Sequence, residues 1–128
     1  MSGIRTELSV DVSSACPVAE ASATVEGPVT DVTWTEAVDG EVTEQFAAPG
    51  NADLAQEGVF DYGRRRVYGF DRAADERCLC EVVQATVGPV TSVHARDGRL
   101  HVTVHTGDVD LLRGLIATLR ERFGGVSV

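Results

Sequence analysis

Two stretches of this chain repeat one another, and that limits the folds open to it more than any other feature. The run from Cys16-Pro17-Val18 through Ala23-Thr24-Val25-Glu26-Gly27-Pro28-Val29-Thr30-Asp31-Val32 matches the run from Cys78-Leu79-Cys80 through Ala85-Thr86-Val87-Gly88-Pro89-Val90-Thr91-Ser92-Val93. The register is constant from Cys16/Cys78 to Val25/Val87, and Glu26 is then a single insertion. Each copy leads to an Asp-Gly pair, Asp39-Gly40 and Asp97-Gly98, with apolar alternation on both sides. A shared ordered set of this kind marks a duplicated supersecondary unit, here over residues of about 4–47 and 66–128.

Each unit reads strand, helix, strand, tight turn, strand. Ile4, Leu8, Val10 and Val12 fall mostly on alternate positions and predict a strand over about 4–12. Val18, Ala21 and Val25 have helical spacing between Ser14 and Val25, and Gly27-Pro28 ends that helix. Residues 29–37 and 41–47 are β-rich, and Asp39-Gly40 is the strongest short signal for a hairpin between them. In the second half, Val67 to Phe70 predicts a strand, Asp75 to Val87 a helix, and 89–96 with 99–105 a hairpin. Leu112, Leu115, Ile116, Leu119 and Phe123 mark an amphipathic helix with Asp108 as its cap and Gly124-Gly125 as its stop. A last strand over Val126 to Val128 completes the order βαββαβ, the ferredoxin-like arrangement also used by ACT-type sensing domains. The first half lacks the second helix: 48–58 reads as a loop, and 59–67 as a further hairpin. The expected architecture is one α+β domain over 1–128, an antiparallel sheet with helices on one face. The aromatics Trp34, Phe46, Phe60, Tyr62, Tyr68 and Phe70 are expected in its core.

Charge narrows the function. Twenty Asp and Glu stand against eleven basic residues, all arginine, for a formal net charge of −9. Such a lysine-free acidic chain has the composition of an extreme halophile, where salt screens self-repulsion, although a high-GC bacterium also favours Arg over Lys. The acidity argues against direct nucleic-acid binding, which needs clustered basic groups. The one basic cluster, Arg64-Arg65-Arg66, is expected as a solvated hairpin end. No apolar run approaches the roughly 18 residues of a membrane span, and the N-terminus has no signal-peptide character. A soluble cytoplasmic chain is the expectation.

Three cysteines in such a chain suggest free thiols, a metal site or a redox switch rather than a disulfide framework. Pro17 sets Cys16 at a helix start, where unpaired N–H groups and the helix dipole favour a thiolate. Cys78 is its repeat equivalent, so a pseudo-symmetric fold can bring the two together. Cys80 aligns with Val18 on the apolar face and reads as a small buried hydrophobe. A two-residue Asp97-Gly98 loop sets His94 directly across from His101, on the face opposite Leu100, Val102 and Val104. Cys16, Cys78, His94 and His101 are therefore the candidate metal ligands, and the histidine pair could equally be a solvent-facing, pH-sensitive patch. His105 lies roughly 13 Å further along its strand. No phosphate loop, nucleophile elbow, zinc-protease helix or EF-hand is present, so no enzyme is expected.

The opening Ile4-Arg5 strand, Cys16-Pro17-Val18-Ala19, Tyr68-x-Phe70-Asp71, Cys78-x-Cys80-Glu81 and the helix from Leu115 to Phe123 resemble one known domain. It is the N-terminal domain of haloarchaeal regulators related to the bacterio-opsin activator. In that family the domain precedes a C-terminal helix-turn-helix that binds DNA. The resemblance implies a sensing or regulatory half, with Cys16, Cys78 and Cys80 at the family's cysteine positions. Its partner would be that helix-turn-helix domain or a separate regulator protein. No helix-turn-helix follows Val128, which points to an excised domain or a stand-alone relative. The leading expectation is a sensor of redox state, metal or a small ligand. The alternatives are a dimerising interaction module that pairs with a second copy, and a thiol-dependent oxidoreductase in which Cys16 attacks and Cys78 resolves.

Overall fold

The computed structural model describes residues 3–12 and 15–128. Eight strands and three helices follow in the order β1 (Ile4–Asp11), α1 (Pro17–Thr24), β2 (Thr30–Trp34), β3 (Glu41–Pro49), β4 (Glu57–Asp61), β5 (Arg65–Ala73), α2 (Leu79–Thr86), β6 (Val90–Arg96), β7 (Arg99–Thr106), α3 (Val109–Arg122) and β8 (Gly124–Ser127). The α+β class and the antiparallel pairing are as expected. The two Asp-Gly turns form both hairpins, with Asp39 at φ 51° and Gly40 at 79°, and Asp97 at 54° and Gly98 at 81°. Two successive positive φ values are what a two-residue turn needs to match strand twist. Asp108 caps α3 by accepting from the N–H groups of Asp110 and Leu111 at 2.9 and 3.1 Å. Helix α2 begins four residues later than its apolar spacing suggested, because β5 runs on to Ala73. The expected start of α1 at Ser14 lies outside the described residues.

The strands divide into two four-stranded sheets, ordered β6-β7-β1-β8 and β2-β3-β5-β4. The two halves of the chain place their leading strands in each other's sheets. In a βαββαβ unit the leading strand sits between the third and the last. In the second half that slot, between β7 and β8, is filled by β1 from the first half. Conversely β5, which leads the second half, lies between β3 and β4. Strand β1 pairs with β7 from Ile4↔Thr106 to Asp11↔Arg99 without a break, and β3 pairs with β5 from Glu41↔Ala73 to Pro49↔Arg65. Val29 and Ala95 bridge the two sheets through a pair of 2.8 Å backbone hydrogen bonds.

All three helices pack on the β6-β7-β1-β8 sheet. Leu8 and Val10 of β1, Leu100 and Val102 of β7, Leu79 and Val83 of α2, and Leu115 and Leu119 of α3 are buried in one cluster that also takes in Phe46 and Tyr68 of the other sheet. Each such side chain stabilises the fold by about 1.5–3 kcal/mol relative to exposure. On the far face Arg99 ties three strands, donating to Ser9 Oγ at 2.7 Å, to the Ser9 carbonyl at 2.9 Å and to the Gly125 carbonyl.

Two expectations need correction. Phe60 and Tyr62 are not core: they are 57% and 70% exposed, with rings 4.7 Å apart. Strand β4 is an edge strand with every residue exposed, so nothing covers them. The arginine cluster is only partly solvated, since Arg65 turns inward to the carbonyls of Pro28 and Ala47 and to Thr30 Oγ1.

Candidate functional site

Two helix starts and two strands meet at a cleft of about 240 Å³ that contains Cys16, Glu44, Phe70, Arg72, Arg77 and Cys78. Cys16 is the N-cap of α1 with Pro17 behind it, and Cys78 is the N-cap of α2. The two helix-start thiols thus stand beside one cavity. Cys80, the second residue of α2, is buried beside Cys78. All three cysteines are free.

The floor of the cleft is ionic. Arg72 on β5 reaches Glu44 Oε1 on β3 through Nε at 2.5 Å. Its Nη2 reaches Glu81 Oε1 in the first turn of α2. Glu81 Oε1 also accepts from the Cys78 backbone N–H at 3.2 Å, as the third residue of a capping box does. The Glu44 and Arg72 side chains are 2% and 8% exposed. Burial pushes the Glu44 carboxyl above its usual range, against the opposing pull of Arg72 and of the Cys78 thiol. Burial is the larger influence because an ion loses more hydration than one shared guanidinium returns.

Cys16 shows the same contest. The helix-start N–H groups of Ala19 and Val18 favour its thiolate, but burial dominates and pushes the thiol up to about 11. Cys16 is therefore a protonated, weak nucleophile at neutral pH, not the activated thiolate that its helix position alone suggests. The neighbouring Cys78 thiol, and then burial, also hold Cys80 well above the ordinary thiol range.

This gives a test in the alkaline limb. The unfolded Cys16 thiol ionises near 9.0 while the folded one keeps its proton to about 11. Between those values only the unfolded state is charged, so stability falls as pH rises, by up to about 2–3 kcal/mol. Urea unfolding of Cys16→Ala is expected to show a shallower loss over pH 9–11 than the parent. An identical slope would mean that Cys16 is not shielded from water.

The histidines stand elsewhere. His94 and His101 face each other across the β6–β7 hairpin as expected, with rings 4.7 Å apart and 6° from parallel. They lie on the sheet face opposite the buried Leu100, Val102 and Val104. His101 Nδ1 is 3.5 Å from Glu7 Oε1. Burial, then the adjacent His94, lowers the His101 pKa, so the ring is neutral at pH 7. Among the described residues, the group whose ligand atoms all lie within 4.8 Å of one another is Glu44, Cys78 and Glu81, not a cysteine–histidine set.

Sequence reasoning missed Glu44, Arg72 and Glu81. Glu44 carried a signal: it falls on the inward face of Val42-x-Glu44-x-Phe46-x-Ala48, where an acidic residue needs a partner. Glu81 stands three residues after Cys78, at capping-box spacing.

Fold and site together define an α+β domain of two interleaved sheets with a thiol- and carboxylate-lined cleft. Over residues 1–128 the chain matches the family described as "DmsR, N-terminal domain-like", and it belongs to that family. It is 29% identical over 131 residues to the transcriptional regulator NarO of Haloferax volcanii, an alignment that covers 98% of this chain and 61% of that protein. The chain thus spans about three-fifths of the length of that relative. The relationship to N-terminal domains of haloarchaeal regulators, which the sequence motifs implied, holds. No solved structure matches the chain. Among the described residues no helix is long and apolar enough to cross a membrane.

Proposed function

We propose that this chain is the sensing domain of an archaeal transcription regulator, responding to redox state, a metal or a small ligand through Cys16, Cys78 and Cys80. One observation carries the reading: the thiols of the two helix starts, Cys16 and Cys78, border a single cleft floored by β3 and β5, with Cys80 buried two residues beyond Cys78. A change in bonding between them alters how α1 and α2 sit, and that is a signal a C-terminal helix-turn-helix domain or a separate regulator protein can receive. Contact with DNA falls to that partner, since the acidic charge of this chain opposes it.

The thermal midpoint in molar salt is the test. Mild oxidant or Zn²⁺ is expected to shift it for the parent protein, and Cys78→Ser to remove the shift while circular dichroism stays unchanged. An unshifted parent, or variants that simply unfold, would return the cysteines to a packing role.

A second reading has its own observation. Edge strand β4 offers unpaired backbone groups beside exposed Val59, Phe60 and Tyr62, the features of a surface that pairs with a second copy. Mass that rises with concentration, indifferent to thiol state, would favour a dimerising module. The oxidoreductase reading is weakened by the protonated Cys16 thiol.

A further inference from the structure

Two carboxylates share one guanidinium at the floor of the cleft. Glu44 and Glu81 both bind Arg72, and their side chains are only 2% and 20% exposed. When both are ionised they carry one negative charge more than the guanidinium answers, in a place that water reaches poorly, where an uncompensated ion is costly. Among the described residues Arg77 forms no ion pair with either carboxylate, its guanidinium donating to the Glu81 backbone carbonyl. Each carboxylate meets Arg72 through Oε1, which leaves each a second oxygen. The Cys78 thiol stands against both, with one ligand atom from each of the three residues within 4.8 Å of the others.

We infer that Cys78, Glu44 and Glu81 form a site for one thiophilic divalent first-row cation, of the Zn²⁺ or Fe²⁺ class, with Arg72 retained beside it. Cys78 binds as the thiolate, and its proton passes to solvent. The three anionic ligands then face one guanidinium and one divalent ion, and the site becomes neutral. A thiolate among the ligands selects against Mg²⁺ and Ca²⁺, which prefer all-oxygen sets. Three protein ligands leave a fourth tetrahedral position for water or a small ligand, open to the cleft. Cys16 borders the same cleft, but the ligand atoms that lie within 4.8 Å of one another are those of Glu44, Cys78 and Glu81. The inference deepens the proposed sensing role by naming its ligand. It rests on that reading for the consequence of binding and not for binding itself.

Anaerobic titration of the chain with Co²⁺ in molar salt tests it. One equivalent is expected to bind with a sulfur-to-cobalt charge-transfer band and tetrahedral visible bands, and Zn²⁺ is expected to displace it. Cys78→Ser removes the charge-transfer band, Glu44→Gln weakens binding by at least about tenfold, and Cys16→Ala changes neither. If Glu44→Gln fails to fold by urea unfolding, Glu81→Gln takes its place, with the same weakening expected. The absence of a charge-transfer band, its survival in Cys78→Ser, or undiminished affinity in the glutamate variant would overturn the site. If Co²⁺ does not bind but oxidant still shifts the midpoint through Cys78, the metal site falls and the sensing role stands. If Co²⁺ binds as described and neither metal nor oxidant moves the midpoint, the site stands and the sensing role falls.

Discussion

Replacing Arg72 with methionine is expected to lower stability at pH 7 by about 3–5 kcal/mol, the usual cost of stripping the partner from a buried charge. A domain of this size has about 5–15 kcal/mol in total, so the variant will stand near the edge of folding. The loss comes from what remains. Glu44 is 2% exposed and would face Glu81 with no cation between them. Two signatures separate this from a simple packing defect. First, burial already raises the Glu44 carboxyl, and removing the guanidinium raises it further. A folded-state value above the unfolded one contributes stability below the unfolded pKa and loses it as pH rises, so the variant should recover toward the parent in acid. Second, adding Glu44→Gln to Arg72→Met should restore part of the loss at pH 7, since the double variant no longer buries that unpaired ion. Urea midpoints at pH 7 and in mild acid measure both. A uniform loss across pH, or additive losses in the double variant, would show that Arg72 acts through its hydrocarbon stem alone.

Neither half of the chain is expected to fold alone when it is cut at the exposed Gly63 turn. Residues 63–128 without β1 lose the strand that pairs with β7 over its whole length and also carries β8. Leu8, Val10 and Val12 leave the core with it. Strand β5, still present in that fragment, fits the vacancy poorly. Its inward positions include Arg72, one of whose two carboxylate partners, Glu44, lies in the other half, whereas β1 offers aliphatic Leu8 and Val10. Residues 1–62 lack β5 and leave β3 and β4 without the strand between them. Fragments of about 60–70 residues rarely have a core to spare for such losses. Separately expressed halves should give unfolded spectra, and mixing or co-expression should restore a cooperative transition. A cooperatively unfolding 63–128 fragment would show that β5 can take the slot and that the halves are independent.

What could be read from the sequence was local. The Asp-Gly turns, the Asp108 cap and the His94–His101 pairing follow from neighbours within a few residues, and all three appear in the structure. The placement of Cys16 and Cys78 at helix starts was legible from Pro17 and from the matching runs that follow each cysteine. The strand exchange was not. Which of β1 and β5 enters a given slot depends on contacts between distant segments, and the alternation of either strand is compatible with a central position. Glu44 was hidden for a different reason: one buried carboxylate among twenty acidic residues has no compositional mark. The Cys16 thiol was misjudged because a helix start reveals its N–H groups in sequence, while the depth at which they lie depends on the tertiary fold.

The exchange has a mechanical consequence. Two plates share an apolar cluster and, among the described residues, are riveted through the backbone at the Val29–Ala95 bridge. They are also strapped by two crossing ribbons, each anchored in the plate opposite its own half. Both ribbons run out toward the thiol cleft, β1 into Cys16 and β5 into Cys78. Drawing those two anchor points together or apart is therefore equivalent to tightening or slackening both straps at once. Under the proposed sensing role, a displacement in the cleft would therefore be felt in both plates rather than in one.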